Sequence, residues 1–242
     1  MILNKDLRRR ILEMGLKYKH GHYGSSMSCV DVVKFLYDEI LTPNDVFIMS
    51  KGHGAPALHA VLESKGFPVK WTIHLEYDEV NGISSTSGSL GYGLTIAIGR
   101  AYGKLLKNSG RVFCLVGDGE LQEGSNWEAL NIANRFKLHN LIVLIDWNKY
   151  QALDSIKNVM WEDSYSISKK LMAFGCNVIY ANGHDYNSLS ALKQLYPNTV
   201  NAVILDTVKG KGIPVLEKNP SFHVYYFHEH MKDYNEAIEY LQ

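Results

Sequence analysis

Two short, wholly apolar runs flanking a helix-length stretch set the pattern of this chain. Val112 to Val116 reads as a β-strand buried on both faces, and it stops at Gly117-Asp118-Gly119. A segment of helical period follows, roughly Ser125 to Phe136, with Trp127, Leu130, Ile132, Ala133 and Phe136 as its apolar side. The second run, Leu141 to Ile145, stops at Asp146-Trp147-Asn148. Strand, helix, strand at this length predicts a βαβ unit with parallel strands. Its right-handed crossover leaves both strand ends on one edge of the sheet. Asp118 and Asn148, thirty residues on, are therefore expected side by side where open α/β sheets bind ligands.

The rest of the chain alternates in the same way. A helix is expected over residues 4 to 19, capped by Asn4, with Leu7, Ile11, Met14 and Tyr18 on one face. A Gly/Ser-rich loop, Gly21 to Ser26, leads to a Ser28/Asp31 capping box and a helix to Ile40 through Val33, Leu36 and Tyr37. Val46 to Met49 reads as a strand and Ala55 to Ser64 as a helix. Lys70 to Thr86 has no clear period. Ser84 to Gly99 is rich in Gly, Ser and Thr and runs into a helix. Small residues at Gly93, Ala97, Gly99, Ala101 and Gly103 predict close backbone packing there. Helices over 166 to 174 and 188 to 196 alternate with strands over 177 to 180 and 202 to 206. The whole is an α/β fold: one domain, 1 to 242, with a mostly parallel central sheet and helices on both faces.

The strand-end pair suggests chemistry. A carboxylate, a side-chain amide and nearby carbonyls form a hard oxygen set, too small for an all-protein calcium cage. It suits magnesium, which keeps water and takes its remaining ligands from phosphates. Gly117 and Gly119 let the backbone approach a diphosphate. An ordinary Gly-Asp-Gly turn is the competing reading of that tripeptide alone.

Composition narrows the classes. Lys plus Arg and Asp plus Glu each number 25, so nothing favours nucleic acid or an anionic membrane surface. Cys29, Cys114 and Cys176 lie far apart and read as core residues of a cytoplasmic protein, not a disulfide or zinc framework. The N-terminus has no signal-peptide core, and no apolar run reaches membrane-spanning length. Three histidines in the tail, His223, His228 and His230, lack the cysteine or carboxylate pattern of a zinc site.

Asp118, Gly119 and Asn148 resemble the GDG-to-Asn motif of thiamine diphosphate enzymes, and GDGELQEGSNWEAL (Gly117 to Leu130) resembles transketolases in particular. SKGHGAPALHAVL (Ser50 to Leu62), SSTSGSLGYGLTIAIG (Ser84 to Gly99) and DTVKGKG (Asp206 to Gly212) extend the match in order. The resemblance implies thiamine diphosphate and Mg2+ as cofactors, with Ca2+ or Mn2+ able to substitute. It implies Asp118, Asn148 and the Tyr150 backbone carbonyl as metal ligands. Gly117, Gly119 and Glu120 would form the diphosphate loop, with His53 on the diphosphate. Gly88, Ser89 and Leu90 would line the thiazolium and aminopyrimidine. His22, His74 and His223 would face the substrate, His223 also approaching the diphosphate. Glu123 would face an interface and couple two active sites, and Glu128 matches a second glutamate of the family.

The chain matches only the first domain of a transketolase. The pyrimidine domain and its activating Glu are therefore expected on a separate C-terminal transketolase subunit, in an α2β2 assembly that moves a two-carbon ketol unit from a ketose to an aldose. Two rivals stand: an α-like subunit of a 2-oxoacid dehydrogenase or deoxyxylulose phosphate synthase type, and a non-catalytic binding domain. Departures from the family at Tyr23, Ile73, Leu75, Tyr92 and Val224 are expected around the substrate and suggest a specialised sugar. Lys209-Gly210-Lys211-Gly212 reads equally as a phosphate clamp or a solvated basic turn and stays outside the expected site. His59 matches no family ligand.

Overall fold

The computed structural model describes residues 2–242. Five parallel strands, β1 (Val46–Met49), β2 (Val112–Gly117), β3 (Leu141–Trp147), β4 (Cys176–Asn182) and β5 (Val200–Asp206), form one sheet in the order β1-β2-β3-β5-β4. The helices are α1 (Lys5–Tyr18), α2 (Tyr23–Phe35), α3 (Ala55–Ser64), α4 (Tyr92–Leu106), α5 (Gly124–Arg135), α6 (Ile156–Met160), α7 (Ser164–Ala173), α8 (Tyr186–Leu189), α9 (Pro214–Lys218) and α10 (Met231–Tyr240).

Strand residues alternate between two cores. Phe113 and Leu115 of β2 and Ile142 and Leu144 of β3 face α1, α2 and α3. Val112, Cys114, Val116, Val143 and Ile145 face α4, α5 and α7. The parallel α/β expectation is met, and all three cysteines are buried thiols. No described helix is long and apolar enough to cross a membrane.

Several local expectations give way to long-range partners. Asn4 does not cap α1. Its backbone is left-handed (φ 50°), and its amide donates to Asp31 Oδ1 at 2.8 Å and to the Tyr186 hydroxyl at 3.0 Å. The second helix starts at Tyr23, inside the expected loop, so Ser28 and Asp31 are interior residues and not a capping box. The Ser28 hydroxyl instead donates to Asp146 at 2.6 Å, and Asp31 pairs with Arg8. The expected helix over 188 to 196 is the short α8 followed by a 3-10 turn, Ser190–Lys193. Gly93 and Ala97 pack tightly as foreseen: a Cβ on Gly93 would meet Ser50 Oγ at 2.4 Å. Gly99 and Gly103 do not, because their open sides meet nothing within 4 Å. On α5, Leu130 and Ala133 are buried, but Ile132 and, just past the helix end, Phe136 are exposed.

Candidate functional site: a histidine-lined cleft at the carboxyl edge of the sheet

Every strand delivers a polar group to the carboxyl edge. β1 ends in Ser50, Lys51 and, one turn later, His53. β2 ends in Asp118, β3 in Asn148, β5 in Thr207 and Lys209, and β4 in His184. The side chain of Asp118 and the backbone after Asn148 do meet. Lys149 takes a left-handed conformation (φ 75°), and its N–H donates to Asp118 Oδ2 at 2.6 Å, while the Gly119 N–H donates to Oδ1 at 2.8 Å. Strained backbone of this kind persists only where surrounding contacts over-determine it.

A buried ion pair underlies this edge. Asp146 accepts from Lys51 Nζ, from the Ser28 and Thr207 hydroxyls, and from Asn148 Nδ2 at 3.2 Å. Burial alone would raise the Asp146 carboxyl; Lys51 and the two hydroxyls more than offset it and hold it below the usual range. The bond to Asp146 fixes the Asn148 amide, whose Oδ1 accepts from Tyr150 N at 3.1 Å. Asp118 accepts its two backbone N–H bonds but has no ion-pair partner within contact distance among the described residues. Burial, and then the neighbouring Asp146 charge, push its carboxyl up to about 7.

The cleft above is about 280 Å³. His22, His53, His74, Gly88, Leu90, Gly117, Asp118, Gly119, Glu120, Glu123, Asn148, Tyr150 and His223 all line it, so the structure gathers nearly every residue singled out from sequence. Ser89, exposed on the loop between two lining residues, and Glu128, exposed on α5, are the exceptions. The imidazoles converge. Ring centroids lie 5.1 Å apart for His22 and His223, 5.8 Å for His22 and His74, and 6.4 Å for His22 and His53. Burial first, then the other histidines, bring His22 down to about 4. Burial and Lys51 hold His53 well below its usual range, and burial and Lys209 lower His223. These three rings are neutral at pH 7.

Glu120 is a clamp. Its buried carboxylate accepts from Ser50 Oγ at 2.7 Å, Gly117 N at 2.9 Å and Gly91 N at 3.1 Å, which ties β1, β2 and the start of α4 together. Tyr150 forms an isolated bridge with Ser155, in which Lys149 O accepts from Ile156 N and Gln151 N donates to Asp154 O. That pattern leaves the Tyr150 carbonyl outside the bridge.

Residues 5–230 match the family described as transketolase, thiamine diphosphate binding domain. The chain belongs to that family. The transketolase resemblance is thereby borne out. Among similar proteins, an apulose-4-phosphate transketolase subunit from Actinobacillus succinogenes is 34% identical over 90% of this chain and 88% of that protein. Its namesake from Phocaeicola vulgatus is 32% identical over 97% of this chain and 93% of that protein. The crystal structure of a Campylobacter jejuni transketolase superposes with a TM-score of 0.79 at 25% identity, over 97% of this chain and 42% of that one. The chain thus spans less than half of the full-length transketolase it superposes on.

Within the transketolase family match, sequence reasoning missed three residues. Lys209 of the KGKG run is buried against the cleft, and burial lowers it to about 8. Lys211 points outward to Glu217, so one motif holds both of the readings left open. Lys51 and Asp146 were not foreseen, although an acid inside a doubly buried strand calls for a buried cation. The departures from the family do not gather at the cleft. Tyr23 and Leu75 are core residues, Tyr23 packing on Phe227 at 4.8 Å. Ile73, Tyr92 and Val224 are exposed, and none of the five lines the cleft. His59 is fully buried.

Proposed function

We propose that this chain is the thiamine diphosphate- and magnesium-binding subunit of a two-chain transketolase, moving a two-carbon ketol unit from a ketose to an aldose. One observation carries the reading. Asp118, Asn148, Lys209 and four imidazoles converge on one sheet edge in a chain of the transketolase thiamine diphosphate-binding family.

The residues fit the group. Asp118 is a buried carboxylate with a raised pKa, and a divalent cation beside it would offset its desolvation. Asp118, the Asn148 amide oxygen and the Tyr150 carbonyl would hold Mg2+, the diphosphate completing its shell. Lys209 and the N–H groups of His53 and His223 would face the diphosphate, with Gly117 and Gly119 leaving room. When bound, thiamine diphosphate supplies the nucleophilic carbon that attacks a ketose carbonyl and holds the charge left on C–C cleavage. Neutral imidazoles can both donate to and accept from sugar hydroxyls. His22 Nδ1 is buried without a partner among the described residues and is free to take that role, with His74 beside it.

Two features support a second chain. Exposed Glu123 stands at the wall of the cleft. Beside it, α4 and α5 expose Tyr92, Ile96, Tyr102, Leu106, Ile132 and Phe136, an apolar face suited to a C-terminal transketolase subunit in an α2β2 assembly. The names of the two bacterial relatives make apulose 4-phosphate the first sugar to test. Three buried thiols suit a reducing, cytoplasmic setting.

Calorimetric titration of thiamine diphosphate with Mg2+ should give saturable binding that Asp118→Ala weakens by roughly two orders of magnitude. Unchanged affinity in that variant would sink the site. Ketol transfer should appear only when the chain is mixed with its partner subunit; transfer by the isolated chain would rule out the two-chain form.

A further inference from the structure

Lys209 reaches the cleft from an irregular segment, Thr207 to Gly212, and each backbone anchor of that segment belongs to a different element. The Thr207 N–H donates to Trp147 O on β3 at 3.2 Å, and the Gly210 N–H donates to Gly24 O on α2 at 2.9 Å. The Lys211 carbonyl accepts from Arg8 Nη1 on α1 at 2.8 Å. Immediately before Lys209, the Val208 N–H donates to His184 Nε2 at 3.0 Å.

His184, at the end of β4, is in turn held by Asp31. Its Nδ1 lies 2.8 Å from Asp31 Oδ2, and Asp31 also takes the Arg8 guanidinium and the Asn4 amide. Because Nε2 accepts from the Val208 N–H, Nδ1 is the ring nitrogen assigned to donate to Asp31. A lone pair is thereby aimed at the residue next to Lys209. None of these groups touches the cleft, and nothing in the proposed chemistry uses them.

We infer that His184 is a positioning residue: the Arg8–Asp31–His184 relay fixes the backbone at Val208 so that the Lys209 ammonium faces the diphosphate. The inference rests on the diphosphate reading of the cleft. The glycines of the KGKG run fit a segment bent to this purpose. Gly210 and Gly212 both have positive φ (79° and 86°), and a Cβ on Gly212 would lie 2.9 Å from Arg8 Cδ. The segment can therefore turn tightly around Lys209 while Arg8 grips its far end.

The test is a double-mutant cycle on the full chain, read as the affinity for Mg2+-pyrophosphate by calorimetry. That probe carries the diphosphate without the parts that a second chain would bind. Lys209→Ala and His184→Ala should each weaken binding about tenfold, and the double variant should be no worse than Lys209→Ala alone. His184→Gln, which keeps one donor and one acceptor, should bind within about threefold of the wild type. Should the alanine variant fail to fold, His184→Met fills the space without a ring nitrogen and takes its place in the cycle. Losses that multiply in the double variant, or a His184→Ala protein that binds normally, would overturn the positioning role. If Lys209→Ala leaves the affinity untouched while Asp118→Ala abolishes it, the fault lies with the lysine's assigned role and the relay has nothing to position. If Asp118→Ala also changes nothing, the diphosphate reading itself fails.

Discussion

On the α1–α3 side of the sheet the chain buries whole charges; on the α4–α5 side it leaves large apolar side chains in the open. Arg8 with Asp31, and Lys51 with Asp146, are ion pairs with essentially no exposure to water. His20 and His59 lie on the same side, both buried. Across the sheet, Leu106 is 71% exposed, Tyr92 64% and Phe136 51%. Desolvated charges are costly unless paired and hydrogen-bonded, so the first side has few alternative arrangements. That rigidity belongs beneath a site whose groups must be held in fixed geometry. The second side is an ordinary apolar core with an unfinished outer surface, as an interface would be. Under the proposed function, the contrast would divide the work: a rigid charged layer beneath the cleft, and an open apolar face for a second chain.

The comparison can be broken most forcefully at the ion pairs. Asp146→Asn leaves Lys51 buried without its countercharge and should lower the unfolding free energy by about 3–5 kcal/mol in urea titrations. The double change Lys51→Met with Asp146→Leu should be less damaging than either single one. If Asp146→Asn is harmless, the pair is not desolvated as described.

Acid provides the next test. Burial brings His20 and His59 down to about 4. Their folded pKa lies below the unfolded value near 6.5, so the unfolded chain binds more protons in between. Stability is therefore full above about pH 6.5 and is lost as pH falls towards 4, by up to about 3 kcal/mol per ring. His59→Leu should flatten this slope in denaturation curves between pH 7 and 4.5. An unchanged slope would mean that the ring is hydrated.

Asp118 should behave in the opposite sense. Its folded pKa is raised to about 7, so without metal it weakens the fold as pH rises from about 4 through 7. At pH 8, Asp118→Asn should stabilise the metal-free chain by about 1–2 kcal/mol and remove Mg2+-dependent cofactor binding. A variant less stable than the parent would show that the carboxylate is better solvated than the structure implies. The smallest effect is expected on the open face. Leu106→Lys and Ile132→Asp should shift stability by less than about 0.5 kcal/mol while abolishing association with the partner subunit in sedimentation. Intact association would move the interface elsewhere.

Much of the frame was legible because it rests on local pattern. The runs from Val112 and Leu141 read as doubly buried strands, and their ends placed Asp118 and Asn148 on one edge before any contact was known. The errors at Asn4, Ser28 and Asp31 share a cause. Each is a good capping residue by type, but a partner distant in sequence takes its side chain instead: Tyr186 and Asp31 for Asn4, Asp146 for Ser28, Arg8 for Asp31. Local propensity does not encode such partners. Lys209 was lost for a related reason, since four residues of alternating Lys and Gly carry no sign of which ammonium turns inward. Glu120 was legible as part of the cleft, but its role as a clamp was not, because Ser50 and Gly91 approach it only in the fold.

The position of β5 between β3 and β4 has a consequence for how the chain comes into being. β3 and β4 are made before β5, so the strand that pairs with both is missing until residue 206 is available. During synthesis, at some 5–20 residues per second, two apolar strand edges stay open for seconds. A chain interrupted before Val200 keeps them open permanently, ready to pair with any neighbouring strand. Truncations that spare every residue of the cleft up to Gln151 should therefore precipitate rather than yield a smaller binding domain.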